Sequence, residues 1–419
     1  TFFSCKWLIE GFNNIILYDC SSFNMCRFLI YKGKEPITLS HLLTRPQHSI
    51  INQSYDSRLR IDAQPVNGDG FGVGYYIDDD HSSPCLYKAI TPAWNNQNLQ
   101  RISEKTSSKL IFAHVRASTY GVLSETNCHP FTFNNLMFMH NGGISNFPKI
   151  KRTLINFIDE DLFININGST DSECCFALFL HCLRLNGFEP NSGEIVNIHI
   201  LRKALTDSIQ YIKDWVKEVS NGDSNNNNNN DPSLLNFAVT DGVNIVVSRY
   251  VNSKTDEAAS LYFSTGSNFV EYSPGRYKME RMNKSQNLVM IASEPLTFER
   301  NDWISVPTNS TVSISNLNIL LHPIEDEYYS TNTIRSNEFA SSKGMLGSYP
   351  TSKDLFNAVP PLEREGRSSI IAWYYLIYPT LYSIYKFILY YTFYTLIIVK
   401  LGRPIRTFRF TQDKVLYWS

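Results

Sequence analysis

The chain has 419 residues, 43% of them hydrophobic, which suffices for a buried core in one large domain or two. A formal net charge of -1 leaves no basic field and excludes nucleic acid as the main partner. Eight cysteines carry no CxxC spacing, and Cys174 and Cys175 are adjacent; this argues against a zinc knuckle or a disulfide framework and for reduced thiols in the cytoplasm.

Residues 1–24 mix Trp7, Leu8, Ile9, Ile15, Ile16 and Leu17 with polar breaks. They lack the basic start, continuous apolar run and small-residue cleavage site of a signal peptide. They read as an extension, a propeptide or a gene-model artefact, ahead of Met25-Cys26-Arg27-Phe28. Residues 27–31 read as a buried strand and 40–43 as a short helix. Residues 72–77 read as a strand entered through a Gly-rich turn, and 110–115 and 136–139 are apolar runs of strand length. Residues 169–185 open with Ser169, Thr170 and Asp171 and continue with Ala177, Leu178, Leu180 and Leu183, as a capped helix does. A longer helical pattern covers 196–219. The asparagine run 225–230 predicts a disordered loop over 221–232. Strand-like segments follow at 236–240, 245–250, 259–264, 288–292, 311–314 and 319–322. Strands, then helices, then strands predict an α+β fold of two stacked sheets with helices outside, not a parallel array.

The domain therefore covers 25–330. Residues 331–369, rich in Ser, Asn and Pro, read as a disordered linker. Residues 370–400 are almost continuously apolar and long enough to span a bilayer, although unusually rich in Tyr. They read either as a transmembrane helix, through which the protein would contact a membrane, or as translated A/T-rich non-coding DNA. Residues 401–419 form a basic tail with Arg403, Arg406, Arg409 and Lys414.

Four clusters carry chemistry. Removal of Met25 would leave Cys26 first in the chain, with a thiol nucleophile and a free α-amine on one residue. An amine titrating near pH 8 can take the thiol proton, so no separate histidine is needed. Alone, Cys26 reads first as a small buried residue in the first strand, and the motifs downstream reverse that reading. The second cluster is His114-Val-Arg116-Ala-Ser-Thr119-Tyr-Gly121. The third is Asn127-Cys-His129-Pro130, followed by His140-Asn141-Gly142-Gly143, and the fourth is Ser169-Thr170-Asp171-Ser172-Glu173. The glycines of Gly68-Asp-Gly70-Phe-Gly72-Val-Gly74 fall at every second position, so they miss both nucleotide-binding glycine patterns. They read as a loop entering a strand near the nucleophile. No metal-ligand spacing stands out, and no cofactor is expected.

The four clusters, in this order, resemble the class II glutamine amidotransferases, which are N-terminal-nucleophile hydrolases. Arg27-Phe-Leu-Ile-Tyr-Lys-Gly, Asn67-Gly-Asp-Gly-Phe-Gly-Val-Gly, Thr91-Pro-Ala-Trp-Asn-Asn and Ser293-Glu-Pro-Leu look like the fungal glutathione-degradation branch of that family. The similarity runs from Met25 to about Tyr329 and leaves both ends of the chain uncovered.

The resemblance implies a four-layer αββα sandwich, a Cys26 nucleophile, and an oxyanion hole from Asn141 and Gly142. It implies that Arg116 binds the α-carboxylate of a γ-glutamyl substrate, with Thr119 as a second donor, and that Asp171 pairs with its α-ammonium. A planar guanidinium suits a carboxylate because it makes two parallel hydrogen bonds. Asp171 also suits helix capping, and Asn141-Gly142 also suits a simple turn. Asn127 and His129 are expected to order the site loop from behind, with His129 reading as readily as a buried hydrogen-bonded histidine. The implied substrate is glutathione or glutamine, and the implied partner is a metallopeptidase-like subunit of a glutathione-degrading complex. Three alternatives stay open: a glutaminase subunit feeding ammonia to a synthase, a γ-glutamyl amidohydrolase of thiol-histidine biosynthesis, and an inactive interaction subunit if residues 1–24 stay attached.

Overall fold

In the first strand Phe28 and Ile30 alternate with Leu29 and Tyr31, and all four are buried, so both faces of the strand must be covered. The computed structural model shows what covers them. It describes residues 26–57, 66–77, 83–117, 122–222, 232–282, 286–297 and 302–329. The regions 1–24, 331–369, 370–400 and 401–419, the asparagine run and Thr119 lie outside the described residues.

The N-terminal third holds strand β1 (Arg27–Thr38), helices α1 (Ser40–Leu43) and α2 (Ile50–Gln53), strands β2 (Phe71–Tyr75) and β3 (Cys85–Ala89), helix α3 (Gln97–Lys105) and strand β4 (Ser107–Val115). The middle third holds strands β5 (Phe131–Phe133) and β6 (Leu136–Gly143), then helices α4 (Phe147–Phe157), α5 (Glu160–Ile164), α6 (Asp171–Leu185) and α7 (Ile198–Gly222). The last third is all strand: β7 (Leu234–Thr240), β8 (Ile245–Arg249), β9 (Tyr262–Gly266), β10 (Asn268–Ser273), β11 (Arg276–Glu280), β12 (Leu288–Ala292), β13 (Ile304–Ser305), β14 (Ser310–Ser315) and β15 (Asn318–Pro323).

These strands form two large sheets. A seven-stranded sheet has the order β13-β9-β12-β1-β4-β2-β3, and a six-stranded sheet has the order β15-β14-β8-β7-β6-β5. Within both sheets the pairings are antiparallel. Phe28 and Ile30 of the first sheet pack with Met137, Met139, Ala238, Val247 and Val312 of the second, forming the layer between the sheets. Leu29 and Tyr31 face the other way, onto Leu42, Ile50 and Leu99 of α1 to α3. On the second sheet Phe138, Phe237 and Val239 face Phe179 and Ile209 of α6 and α7. The layers are therefore helix, sheet, sheet, helix, as the resemblance implied.

Boundaries differ where periodicity is interrupted. Strand β1 continues to Thr38, well past residue 31, through a register shift against β4 between Lys32 and Ile37. Strand β9 starts at Tyr262, not 259, because Ala258 and Ala259 are buried in a separate cluster with Val251 before the strand begins. Helix α7 reaches Gly222, so 221–222 continue the helix where a loop was predicted. The β10–β11 hairpin is a separate two-stranded sheet that the apolar pattern did not signal. Among the described residues no helix is long and apolar enough to cross a membrane.

Candidate active site

Cys26 sits immediately before β1, whose first residue, Arg27, pairs with Val115 at the end of β4. That register brings Arg116 and Ala117, just past β4, beside the thiol. The Ala117 N–H donates to Cys26 Sγ at 3.3 Å, and the thiol lies 3.5 Å from the Ala117 carbonyl oxygen as a donor. Cys26 is only 6% exposed, so its sulfur rests against backbone rather than in open water.

The neighbouring Arg27 is fully buried on the helix-covered side of its sheet. Its Nη1 donates to the Cys26 carbonyl oxygen at 2.9 Å and its Nε to Glu294 Oε1 at 2.8 Å. The other oxygen of Glu294 lies 3.0 Å from His48 Nε2, and Gln53 donates to the Glu294 carbonyl at 3.2 Å. A buried guanidinium needs such a carboxylate, because an unpaired charge away from water is costly. The neighbouring Ser293 links the two sheets. Its hydroxyl oxygen accepts from the Phe28 N–H at 3.0 Å and from Asn141 Nδ2 at 3.3 Å.

Asn141 and Gly142 lie at the end of β6, opposite Asn236 and Leu235 of β7. Asn141 is completely buried. Gly142 has φ +149, and a Cβ there would fall 1.9 Å from the Leu234 carbonyl oxygen, so only glycine fits. Asp171 reaches this strand end from the first turn of α6. Its Oδ2 accepts from the Ile144 N–H at 3.0 Å, and its Oδ1 accepts from the Ser172 N–H at 2.8 Å. Thr170 is the cap of that helix, with its hydroxyl accepting from the Glu173 N–H at 3.3 Å. The capping role thus falls to Thr170, and Asp171 holds the strand that carries Asn141 and Gly142. His140 is anchored below, with Nε2 donating to the Leu234 carbonyl at 2.9 Å and Nδ1 2.9 Å from Ser172 Oγ.

Arg116 is 2% exposed and tied to the glycine-rich loop. Its N–H donates to the Gly70 carbonyl at 2.9 Å, its carbonyl accepts from the Asp69 N–H at 3.1 Å, and its Nη1 lies 3.4 Å from the Asp69 carbonyl. The loop therefore lies beside the nucleophile through Arg116, as expected. Asn127 ties two motif clusters together: its Oδ1 accepts from the Ser169 N–H at 2.9 Å and its Nδ2 donates to the Val122 carbonyl at 2.7 Å.

His129 departs from expectation. It is buried, but among the described residues neither ring nitrogen has a hydrogen-bond partner. Instead its ring packs 4.1 Å from that of His114 and 4.5 Å from Phe131, so it fills space and Asn127 alone makes the ordering hydrogen bonds. His114 donates through Nε2 to the His140 carbonyl at 3.1 Å. Burial holds His114 down at about 3 and His129 well below the ordinary histidine value. Both rings are therefore neutral at pH 7.

Three further thiols lie in the core of helix α6. Cys174 and Cys182 are pushed up to about 12 by burial in the α6 core, and Cys175 is raised well above its usual value for the same reason. Among the described residues no cluster of His, Cys, Asp or Glu could hold a metal ion.

The family model of the class II glutamine amidotransferases matches residues 47–223, a span that begins after Cys26. Over 352 residues, 82% of this chain and 97% of the relative, the chain is 62% identical to a Saccharomyces cerevisiae protein named probable glutamine amidotransferase DUG3. The chain belongs to the class II glutamine amidotransferases. A more distant relative is the glutamine–fructose-6-phosphate aminotransferase (isomerizing) of Saccharomyces cerevisiae, 28% identical over 173 residues, 39% of this chain and 22% of that protein. A solved class-II domain protein from Silicibacter pomeroyi overlays with a TM-score of 0.46 at 22% identity, covering 72% of this chain and all of that one (100%).

For a class II amidotransferase, the residues that sequence reasoning passed over are Arg27, Glu294 and His48. Arg27 and Glu294 stood inside quoted motifs without a role. Nothing local marked His48, because it joins the site through a carboxylate 246 positions away.

Proposed function

We propose that this amidotransferase hydrolyses γ-glutamyl amide bonds with Cys26 as nucleophile. The observation that carries the reading is the Ser293 hydroxyl, which joins the strand of Cys26 to Asn141 on the other sheet. This link supports the reading that the thiol and the candidate oxyanion donors serve one site.

In this mechanism the Cys26 thiolate attacks the γ-carbonyl carbon. The negative oxygen of the tetrahedral intermediate is held by the Asn141 side-chain N–H and the Gly142 backbone N–H. Collapse breaks the C–N bond, and the α-amine of Cys26, which took the thiol proton, returns it to the leaving nitrogen. Water then cleaves the γ-glutamyl thioester and releases glutamate. Arg116 binds the substrate α-carboxylate, Asp171 its α-ammonium, and Thr119 is assigned as a second carboxylate donor. This chemistry needs Cys26 at the N-terminus, hence loss of residues 1–25.

We assign glutathione as the substrate, with cysteinylglycine as leaving group, on the strength of the motif set around Arg27, Asn67, Thr91 and Ser293. A metallopeptidase-like partner would then consume the dipeptide. The test is purified protein of confirmed N-terminal sequence and intact mass, assayed with glutathione and with glutamine. Protein beginning at Cys26 is expected to release glutamate and cysteinylglycine from glutathione, and Cys26→Ala is expected to release neither while keeping its melting temperature. Ammonia from glutamine with no cysteinylglycine from glutathione would instead assign a glutaminase. Undiminished turnover by Cys26→Ala, or by protein that keeps residues 1–25, would overturn the mechanism.

A further inference from the structure

Far from Cys26, the two sheets open onto a cavity of about 320 Å³ lined by Lys32, Lys34, Lys109, Tyr76 and the Gly242–Val243 turn. Strand register places it at the other end of the sandwich. Arg27 pairs with Val115 beside the nucleophile, whereas Lys32 pairs with Leu110, five residues or about 17 Å further along β1. On the second sheet Gly142 pairs with Leu235 at the site, whereas Met137 pairs with Thr240, next to the turn that lines the cavity.

The row Phe28, Ile30, Lys32 explains the cation. These alternate residues face the gap between the sheets, and the first two are apolar core. Lys32 continues the row at the point where the layers part, so its ammonium is carried into the gap. Burial holds its pKa below the usual lysine value, against an opposing pull from Asp241. Asp241 is not an ion-pair partner. Its oxygens accept from the N–H groups of Val196 at 2.8 Å, Val243 at 2.8 Å and Asn244 at 2.6 Å. Among the described residues the Lys32 ammonium makes no side-chain hydrogen bond or ion pair, and the cavity lining contains three lysines and no acidic side chain.

An ammonium partly withdrawn from water, whose nearest carboxylate, Asp241, is already engaged by three backbone N–H groups, is poorly compensated, and an anion that reaches it offsets that cost. A tetrahedral dianion matches several lysines better than one carboxylate does, since each oxygen can accept from a different amine. We propose that this cavity binds a small phosphate-type dianion, separately from the reaction site. Its volume leaves room for inorganic phosphate or a small phosphate monoester.

The test uses the whole protein in chloride buffer, with inorganic phosphate added at constant ionic strength, followed by melting temperature and calorimetric titration. Saturating phosphate is expected to raise the melting temperature by about 2 °C or more. Lys32→Met is expected to fold, since it replaces a partly desolvated ammonium with an apolar side chain of similar length, and to weaken phosphate binding at least tenfold. Lys109→Met, at the half-buried rim, is expected to weaken it as well. Glycerol phosphate binding tighter than phosphate would identify an ester as the ligand class, and equal binding would identify the inorganic ion. No phosphate-specific rise over chloride, or an equal rise in Lys32→Met, would overturn the proposal.

Discussion

The Arg27 guanidinium donates to the carbonyl oxygen of Cys26 at 2.9 Å, so the side chain of the second residue holds the main chain of the first. The same guanidinium is held by Glu294 at 2.8 Å, and both side chains are at most 1% exposed. A thiol that must meet a carbonyl carbon at a defined angle depends on such fixing, because small misplacements of a reacting group are costly. In the proposed mechanism Arg27, Glu294 and His48 are thus positioning residues for Cys26.

Glu294→Gln keeps the size of the side chain but leaves Arg27 without its counter-charge. We expect kcat for glutathione to fall about 10- to 100-fold with KM changed less than threefold, and stability to fall by about 3 kcal/mol. Steady-state kinetics together with urea unfolding checks this. Loss of stability with unchanged kcat would make the network purely structural.

Asn141→Ala removes one of the two donors that the proposed mechanism assigns to the oxyanion. The expected loss is about 100- to 1,000-fold in kcat, with KM nearly unchanged, because the donor acts mainly in the transition state. A rise in KM at constant kcat would place Asn141 in ground-state binding instead.

Gly142→Ala is expected to destabilise the fold by more than about 2 kcal/mol. The new methyl would lie 1.9 Å from the Leu234 carbonyl oxygen, and both that oxygen and the β6–β7 ladder would have to move. Chemical denaturation of the variant measures this. An unchanged midpoint would mean that the strand end is looser than its geometry implies.

Asp171→Asn separates two roles. Loss of the charge is expected to raise KM for γ-glutamyl substrates more than tenfold. Loss of an acceptor for the Ile144 or Ser172 N–H costs about 1 kcal/mol of stability. If kcat falls while KM stays level, Asp171 acts only by holding the oxyanion strand.

Acid should destabilise the protein well above the carboxylate range. His114 and His129 are buried and neutral, with pKa values lowered below the ordinary 6.5. The unfolded chain therefore binds more protons as pH falls below 6.5, so the stability present above that pH is lost on acidification. Between pH 7.5 and 5.5 each ring contributes a loss of about 1.4 kcal/mol, together roughly 3 kcal/mol. Urea midpoints across this range check the sign, and His129→Asn should remove about half of the slope.

The strand alternation of Phe28 to Tyr31, the cap chemistry at Ser169 to Asp171 and the order of the four clusters were legible in the sequence, because each depends on neighbours a few residues apart. The proposal that Cys26, Arg116, Asn127, Asn141 and Asp171 form one site also comes from the sequence, since their order along the chain follows a family pattern. The length of β1 and the β10–β11 hairpin were not legible. Their side chains are partly exposed, and apolar periodicity fades where one face meets water.

The sequence by itself determined which side chains were available and which short segments would be strand or helix. Only the tertiary structure decided what they do for one another. It joined Arg27 to Glu294 across 267 positions, turned Asp171 onto the Ile144 N–H, left His129 stacked without a hydrogen bond, and carried Lys32 into the gap between the sheets. The physical reason is register. Which residues meet across an antiparallel sheet, and which meet between two sheets, depends on how distant strands align, and a shift of one residue in β1 would turn Arg27 and Lys32 to the opposite faces.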